Sequence, residues 1–314
     1  MTTTLMDVAE RAGVSKSTVS NVIRGSAVVS EETRERVERA IAETGYHPNA
    51  IARSLKARTS SAIGIVVPDL TNPFHAQLAV GIERAANALG YAVLTANTDC
   101  LPKTEEQAAR AWLERRVDGV IIGGMSLGST LPKILLDSGV PVILASLGDY
   151  DDPRIGMIDQ DDTAAMESIV EHLYDLGHRR FAFVSYRLRE HSGERRFFGF
   201  KAALKKRRLV PIAIDDGATA VVAYNDMQAI AIMDQLERRG LKVPDDVSVV
   251  GFDDVPLAAH TRVQLTTVRS DATEISRRAV DLLIKAARQG RMVSHRELAN
   301  VELVVRATTA RPPK

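Results

Sequence analysis

The sequence predicts an α/β protein with three parts: an all-α head, a hinge helix, and a longer body made of two lobes. Apolar residues recur at helical spacing in residues 5–41, with a glycine and a serine where a tight turn would lie. From Ser61 onward, short β-branched runs alternate with longer helical patterns, which is typical of a doubly wound parallel sheet. This alternation occurs in two series, so we expect two lobes with a cleft between them.

The head is predicted to contain three helices. The first has its apolar positions at Leu5, Val8, Ala9 and Ala12. Gly13 follows where a C-cap glycine is expected, and Ser15 is placed to N-cap a second helix. The turn between them is about three residues long, the length used by a helix-turn-helix. Ser30 is expected to cap a third helix, whose apolar residues are Val37, Ala40 and Ile41.

The second predicted helix has one apolar side, formed by Val19, Val22 and Ile23. The residues expected to contact DNA lie at its N-terminal end and on its polar side: Ser15, Lys16, Ser17, Thr18, Ser20 and Asn21. A recognition helix carries its base-reading side chains there. Lys16 can donate to O6 and N7 of guanine, and Asn21 can pair with adenine. The alternative is a three-helix bundle that binds no DNA, because the glutamates of the head nearly balance its basic residues.

A short helix-compatible segment follows the head, and it would be marginal as an isolated helix. The motifs of the head and this segment are Asp7-Val8-Ala9, Gly13-Val14-Ser15, Thr18-Val19-Ser20, Tyr46-x-Pro48-Asn49 and Ala52-Arg53-Ser54-Leu55. In these motifs residues 5–60 closely resemble the headpiece and hinge of the lactose-repressor/galactose-repressor (LacI/GalR) family of bacterial transcription regulators. The resemblance implies an N-terminal helix-turn-helix headpiece that binds DNA.

The resemblance also implies a role for the hinge. In the family the hinge folds into a helix on the operator, pairs with the hinge of the dimer mate, and inserts a leucine into the minor groove. Leu55 matches that leucine, and apolar wedges of this kind kink DNA. The hinge residues that the match places on DNA are Asn49, Ala52, Arg53, Leu55 and Lys56. The alternative is an ordinary flexible linker.

Composition restricts the classes of function. A formal net charge of +1 argues against a diffuse binder of polyanions, so any DNA contact must be local. Cys100 is the single cysteine, which permits no intramolecular disulfide and fits a reducing compartment. The N-terminus has no basic stretch followed by an apolar run, and no apolar run has transmembrane length. We therefore expect a cytoplasmic protein without membrane contact.

These patterns predict a headpiece, a hinge and a body with the boundaries 1–47, 48–60 and 61–314. Within the body, the first lobe is expected at about 61–159 and 271–292, and the second at about 160–270 and 293–314. In open α/β sheets ligands bind beyond the carboxyl ends of the strands. The strand ends of the two lobes should therefore face each other across the cleft.

The family resemblance extends through the body, which looks like the family's effector domain and hence like periplasmic sugar-binding proteins. The landmarks are Asn72-Pro73-Phe74, Val117-Asp118-Gly119, Gly177-His178-Arg179, Asn225-Asp226 and the segment 243–254. The match implies a small, sugar-like or polyol effector held by Asn72, Phe74, Arg196, Asn225 and Asp253. Each has a structural alternative: Phe74 as core packing, Asn225 as a helix cap, Asp253 as part of a turn.

The sequence departs from the family between Leu204 and Val221, where the connection is short. Family members have a strand and a helix here, and the strand lies at a sheet edge, so its loss need not abolish the fold. The loss removes a residue that covers the effector, and the connection has to take another route. Glu190 and Ser146 stand where some members have a ligand-contacting arginine and aspartate.

Rival functions fit the sequence less well. Gly123-Gly124-x-x-x-Gly128 is neither a dinucleotide fingerprint nor a Walker loop. Three aspartates cluster without any nucleophile–base pattern: Asp159, Asp161 and Asp162. His178 is expected to be structural, because no second ligand lies at metal spacing. A binding protein for transport would need an export signal.

The sequence therefore predicts a regulator that is not an enzyme and needs no cofactor. We expect a homodimeric repressor that binds a pseudo-palindromic double-stranded operator, because half-site symmetry follows protein symmetry. A small-molecule effector between the lobes should control operator affinity. The alternative is a DNA-binding regulator with a degenerate effector site, controlled by a partner protein or not at all.

Overall fold

A computed structural model describes residues 3–23, 28–46, 59–146, 150–186 and 191–313. The chain divides into two compact units, Met1–Ser60 and Ser61–Lys314, and each is described by itself. Among the described residues, no helix is both long enough and apolar enough to cross a membrane.

The first unit contains three helices: α1 (Leu5–Ala12), α2 (Lys16–Ile23) and α3 (Glu31–Thr44). Thr4 and Asp7 cap α1 reciprocally, with Asp7 N–H donating to Thr4 Oγ1 and Thr4 N–H donating to Asp7 Oδ2. Gly13 ends the helix at a φ of 64°, as predicted. The helices enclose one small core of Val8, Ala9, Ala12, Val19, Val22, Val37, Ala40 and Tyr46.

The two predicted serine caps of the head behave differently. Ser15 Oγ accepts a hydrogen bond from Thr18 N–H at 3.1 Å, which caps α2 and confirms the prediction. Ser30 does occupy the N-cap position of α3 in extended conformation, but its side chain bonds no backbone N–H of the helix. Its hydroxyl donates instead to Thr33 Oγ1 at 2.9 Å, so the expected capping bond is wrong.

The second unit is built from eleven strands and seven α-helices in its described part. The strands are β1 (Ala62–Val67), β2 (Ala92–Asn97), β3 (Val120–Ile122), β4 (Val142–Ala145), β5 (Gly156–Gln160), β6 (Phe181–Val184), β7 (Ala220–Ala223), β8 (Ser248–Val250), β9 (Thr267–Ser270), β10 (Arg296–Ala299) and β11 (Val301–Val304). The helices are α4 (Pro73–Ala88), α5 (Pro102–Glu114), α6 (Leu131–Asp137), α7 (Asp162–Asp175), α8 (His191–Lys206), α9 (Asp226–Arg238) and α10 (Ala272–Gln289).

The first lobe is a six-stranded parallel sheet in the order β10-β5-β4-β3-β1-β2. One face packs on α4 and α10 through side chains such as Leu78, Ile82 and Leu283. The other face packs on α5 and α6, where Trp112 and Leu135 are buried. The central strands are therefore buried on both faces and carry nearly continuous apolar runs, as parallel strands do.

The second lobe has a three-stranded parallel sheet, β6-β7-β8, and an antiparallel pair, β9 and β11. An isolated bridge between Val250 and Thr266 connects β8 to the start of β9. One apolar cluster includes Phe181 and Phe200 with residues of α7 and α8. Another includes Val221 and Val249 with residues of α9. The predicted doubly wound two-lobed body is confirmed.

The chain crosses between the lobes three times, and the last crossing differs from the expected one. Residues 293–314 were assigned to the second lobe, but Arg296–Ala299 pairs with β5 as an edge strand of the first sheet. Val293 also packs in the first-lobe core. The crossing lies at Asn300, because Val301–Val304 then pairs with β9. Two four-residue strands separated by one residue look like a single strand in the sequence.

The short connection after α8 leaves the second sheet intact, with β6 at its edge. The chain passes through a single 3₁₀ turn, Ile214–Asp216, before β7. Ile212 N–H donates to the carbonyl of Phe181 at 2.9 Å, whereas Ala220 N–H donates to the carbonyl of Arg180. Successive strand carbonyls point to opposite sides. Ile212 therefore lies on the outer side of β6, on the side opposite to β7. It forms one hydrogen bond with this edge of the sheet.

Candidate functional site

The polar side of α2 in the first unit forms a candidate DNA-reading surface. Val19 and Val22 are buried, while Lys16 and Ser17 are exposed at the N-terminal end of the helix. Asn21 is half-buried one turn further along. Lys16 forms no ion pair within the described part of the chain, so its ammonium group is available to an external partner.

Hydroxyl groups hold the start of α2 in place. Ser15 Oγ lies 2.7 Å from Ser17 Oγ and 2.8 Å from Thr18 Oγ1, in addition to its bond with Thr18 N–H. This network fixes the first turn of the helix and hence the direction in which Lys16 leaves the backbone. Rigid support of this kind improves a recognition surface because less side-chain order has to be lost on binding.

The hinge residues predicted to contact DNA lie outside the described residues. They are Asn49, Ala52, Arg53, Leu55 and Lys56. Their roles stay predictions from the sequence.

The second unit has a cleft in which the space between the protein atoms, with open solvent included, is about 340 Å³. Its walls consist of Pro68, Asn72, Phe74, His75, Gly123, Gly124, Met125, Ser146, Ser192, Arg196, Tyr224 and Asp253. These residues follow β1, β3, β4, β7 and β8 or begin α4 and α8, so the strand ends of both lobes meet there, as a ligand site in such sheets requires.

Four of the five predicted effector residues line this cleft. Asn225 does not line it, although its neighbour Tyr224 does. Asn225 Oδ1 accepts from Gln228 N–H at 2.9 Å and caps α9, while its Nδ2 is buried without a hydrogen-bond partner. The capping alternative is thus present in the structure, together with one unused donor.

Asn72 and Phe74 are more buried than residues at a cleft mouth would be. Asn72 caps α4 by accepting from Phe74 N–H at 3.1 Å. Phe74 is only 4% exposed and belongs to the apolar cluster that contains Val255 and Leu265 of the second lobe. Phe74 therefore connects the lobes by packing, and it presents little surface on which a ligand ring could stack.

Arg196 is the most elaborately bound residue of the cleft. It is 3% exposed, and it donates to the Tyr224 carbonyl at 2.7 Å, to Asp162 Oδ1 at 3.3 Å and to Asp253 Oδ1 at 3.4 Å. Its guanidinium carbon also lies 3.6 Å from the centre of the Phe252 ring. Two carboxylates raise the pKa of Arg196 further, so the group remains charged despite its burial.

A second arginine extends this contact into a chain of charges that joins the lobes. Arg195 on α8 binds Asp159, at the end of β5 in the first lobe, and binds Asp162 at 3.0 Å. The resulting order is Asp159–Arg195–Asp162–Arg196–Asp253, which we call the charge chain. Its three carboxylates and two guanidinium groups leave one negative charge in excess when all are ionised.

The two carboxyl groups at the ends of the charge chain, Asp253 and Asp159, both have raised pKa values. Burial raises the pKa of Asp253 to about 7, against the lowering effect of Arg196. Burial likewise raises the pKa of Asp159, whose Oδ1 has no hydrogen-bond partner. Asp253 also has a φ of 109°, a conformation that costs a non-glycine residue on the order of 1–3 kcal/mol and is found mainly at functional sites.

Sequence reasoning missed several residues of this site. Ser192 and Tyr224 line the cleft and bond each other through their hydroxyls at 2.9 Å, and Arg195 carries the contact between lobes. The cluster of aspartates had been seen, but only as a failed catalytic pattern. Their position in the sequence was the useful signal: Tyr224 directly follows β7, and Asp159 is the penultimate residue of β5. Glu190 lies outside the described residues, whereas Ser146 lines the cleft.

Three family profiles match the chain. Residues 4–49 match the bacterial regulatory proteins of the lacI family. Residues 60–219 match the periplasmic binding proteins and sugar binding domain of the LacI family, and residues 170–309 match the periplasmic binding protein-like domain.

Similar proteins match over nearly their full length. The HTH-type transcriptional repressor PurR of Vibrio vulnificus (strain CMCP6) is 30% identical, over 97% of this chain and 98% of that protein. The lac repressor dimer bound to operator and the anti-inducer ONPF has a TM-score of 0.87 at 31% identity, covering 99% of this chain and 100% of that chain. The CelR–cellobiose complex has a TM-score of 0.73 at 27% identity, with coverage of 98% and 99%.

The charge chain predicts that Arg196 supports the fold of the second lobe. Replacing Arg196 by Met keeps much of the side-chain volume but leaves Asp162 and Asp253 without that partner, which should lower the free energy of unfolding by about 3–5 kcal/mol. Arg195→Met is the matched control and should cost less, because Arg195 is partly exposed to water. Denaturant unfolding of both variants measures the difference, and equal losses would contradict this role.

The pKa of Asp253 predicts a pH dependence of stability. Because the folded-state pKa is raised to about 7, the folded protein holds a proton that the unfolded chain releases above about pH 4. The stability contributed by this proton is therefore lost as the pH rises towards and through 7. Asp253→Asn cannot titrate, so its unfolding temperature relative to that of the parent should increase between pH 5 and 8. A constant difference between the two proteins over that range would contradict the assignment.

Proposed function

The chain belongs to the LacI family of bacterial regulatory proteins, and on that premise we propose that it represses transcription as an effector-controlled homodimer. It binds a pseudo-palindromic operator through α2 and the hinge, and a small molecule in the cleft controls this binding. One observation carries the proposal: the chain combines a helix-turn-helix with an exposed Lys16 and a two-lobed domain with a polar cleft.

The dimer part of the proposal rests on symmetry. One head reads one half-site, and a two-fold protein axis places two heads on a palindrome. The lac repressor structure that resembles this chain over its full length is that of a dimer on its operator. We propose that the first lobe provides most of the dimer contact, since closure of the second lobe can then change the angle between paired hinges.

Control by the cleft requires a ligand with different affinities for two states of the body. Arg196 and Asp253 come from the second lobe, and Ser146 and Asn72 come from the first. A polar molecule that contacts both pairs favours the closed arrangement. The charge chain already joins the lobes without a ligand. The free-energy difference that a ligand adds between the two states is therefore set by the further bonds it forms with Asp253 and Ser146.

A second candidate is a repressor with a degenerate cleft. It is favoured by the charge chain itself, because Arg196 has three partners without any ligand. Calorimetric titration with a panel of sugars and nucleosides separates the two candidates. Binding of any member that also changes operator affinity supports an effector-controlled repressor, whereas operator binding that no small molecule alters supports the degenerate site.

The exposed side of α2 predicts which changes relax base reading. Lys16→Ala or Asn21→Ala should each reduce discrimination at one or two base pairs of a half-site by about 1–3 kcal/mol. Gel shifts with a set of base-substituted operators measure this effect. Glu38→Ala, an exposed change on α3, serves as the control. Unchanged base preferences in both α2 variants would assign sequence reading to another element.

The hinge predicts a different effect for Leu55. Leu55→Ala should weaken operator binding much more than binding to random DNA, because a wedge acts on the deformation of the operator centre. Lys56→Ala is the matched control, and it should weaken both kinds of binding and reduce the salt dependence, as loss of a phosphate contact does. Equal losses of specific and non-specific affinity in Leu55→Ala would reject the wedge.

The dimer is tested by sedimentation of the full chain with and without operator DNA. We expect a dimer at the concentrations at which the operator is bound, since one head on one half-site lacks the second set of contacts. A stable monomer that binds the operator at nanomolar concentration would overturn this part of the proposal.

A further inference from the structure

We infer that the ligand of the cleft carries a protonated amine on a small hydroxylated skeleton, as an amino sugar does, and that the amine binds Asp253. The inference rests on the proposed function, since it names the chemical class of the controlling molecule. It differs from the neutral sugar or polyol that the sequence suggests.

The charged groups beside the cleft are not balanced in number. The charge chain holds three carboxylates against two guanidinium groups, and four of its five members are nearly fully buried. Asp162 contacts both arginines, so the excess negative charge is left to the two ends. Where Asp253 is ionised, above its raised pKa, this excess buried charge is costly, and a cation supplied by a ligand removes that cost.

Only one end of the charge chain faces the cleft. Asp253 lines the cleft, whereas Asp159 does not. The contact of Asp253 with Arg196 is single and long, at 3.4 Å, which leaves acceptor capacity on its carboxylate. Among the charged side chains in the described wall of the cleft, Arg196 already has its carboxylate partners and Asp253 is the one in excess. A ligand cation therefore binds at Asp253.

The walls of the cleft also offer polar groups other than Asp253. Tyr224 lines the cleft, and its hydroxyl lies 2.9 Å from that of Ser192, so this pair offers hydroxyl groups to a polar ligand. Ser146 also lines the cleft, is 7% exposed, and its Oγ has no hydrogen-bond partner. An unpartnered buried hydroxyl is uncommon and indicates a missing partner. A ligand hydroxyl supplies that partner from the side of the first lobe, while the amine binds the second lobe.

The test uses hexoses that share one ring and differ in the group at C2, which is charged in the amino sugar alone. The full-length protein is titrated calorimetrically at pH 7.5 or so with glucosamine, glucose and N-acetylglucosamine, and with the corresponding galactose series. The amino sugar of at least one series should bind at least about tenfold more tightly than its neutral parent and its N-acetyl form, which is about 1.4 kcal/mol. The parent sugar has a neutral hydroxyl of similar size in place of the ammonium, so it separates charge from shape, while the N-acetyl form keeps the nitrogen without its charge.

Variants locate the preference. Asp253→Asn should reduce the ratio of amine to neutral affinity to about one, because it removes the ion pair and keeps the shape. Asp254→Asn is the matched control: the neighbouring carboxylate binds Arg269 and Arg306 and does not line the cleft, so the preference should persist. The ligand series on the parent protein gives a result even if a variant folds poorly.

The outcomes are distinct. A neutral sugar that binds as tightly as its amine, or failure of every amino sugar to bind, would overturn the inference. If a neutral sugar binds and changes operator affinity, the inference fails while the proposed function stands. If the same preparation binds no DNA in a selection from random sequences, the proposed function fails instead.

Discussion

Five charged side chains meet where the two lobes of the body adjoin, and two of them, Arg196 and Asp253, also line the cleft. Asp159 comes from the end of β5, Asp162 from the start of α7, both arginines from α8, and Asp253 from the turn after β8. No single element supplies the network, so it forms only when both sheets are folded and adjacent. The strand ends of doubly wound sheets make this possible, because loops and helix starts converge there.

A buried ion-pair network contributes little net free energy to holding two lobes together, because its charges have to be removed from water. Apolar residues of similar volume in place of a buried ion-pair network are often neutral or stabilising, by about 1–4 kcal/mol. The interface already has an apolar contact of this kind, since Phe74 packs among second-lobe residues such as Val255 and Leu265. The charge chain is therefore more than is needed for adhesion. Unlike apolar contacts, it contains a group that titrates, because burial raises the pKa of Asp253 to about 7.

Much of the fold followed from periodicity and from a few turn residues. Gly13 and Ser15 located the turn of the head, and alternating apolar runs located both sheets of the body. The errors arose where the local sequence pattern does not show which strands pair. Nothing in the sequence divides Arg296–Ala299 from Val301–Val304, and only pairing with β5 and β9 shows that the chain changes lobe between them. The same holds for the candidate site. The positions of the motifs predicted Arg196 and Asp253, but the contact between these two residues and the role of Arg195 depend on tertiary packing.

The charge balance also bears on how strongly the proposed effector could change DNA affinity. A ligand changes DNA affinity only through its different affinities for two states of the body, and moving an equilibrium from 1:99 to 99:1 takes about 5.5 kcal/mol. A neutral ligand contributes hydrogen bonds worth about 0.5–1.5 kcal/mol each, many of which persist in both states. A cation that pairs with Asp253 interacts more strongly as the lobes exclude water, because the Coulomb energy rises when the effective dielectric constant falls. The binding energy of the proposed cationic effector would therefore differ between an open and a closed state of the body, and the excess carboxylate that would select this effector would also set the strength of the coupling.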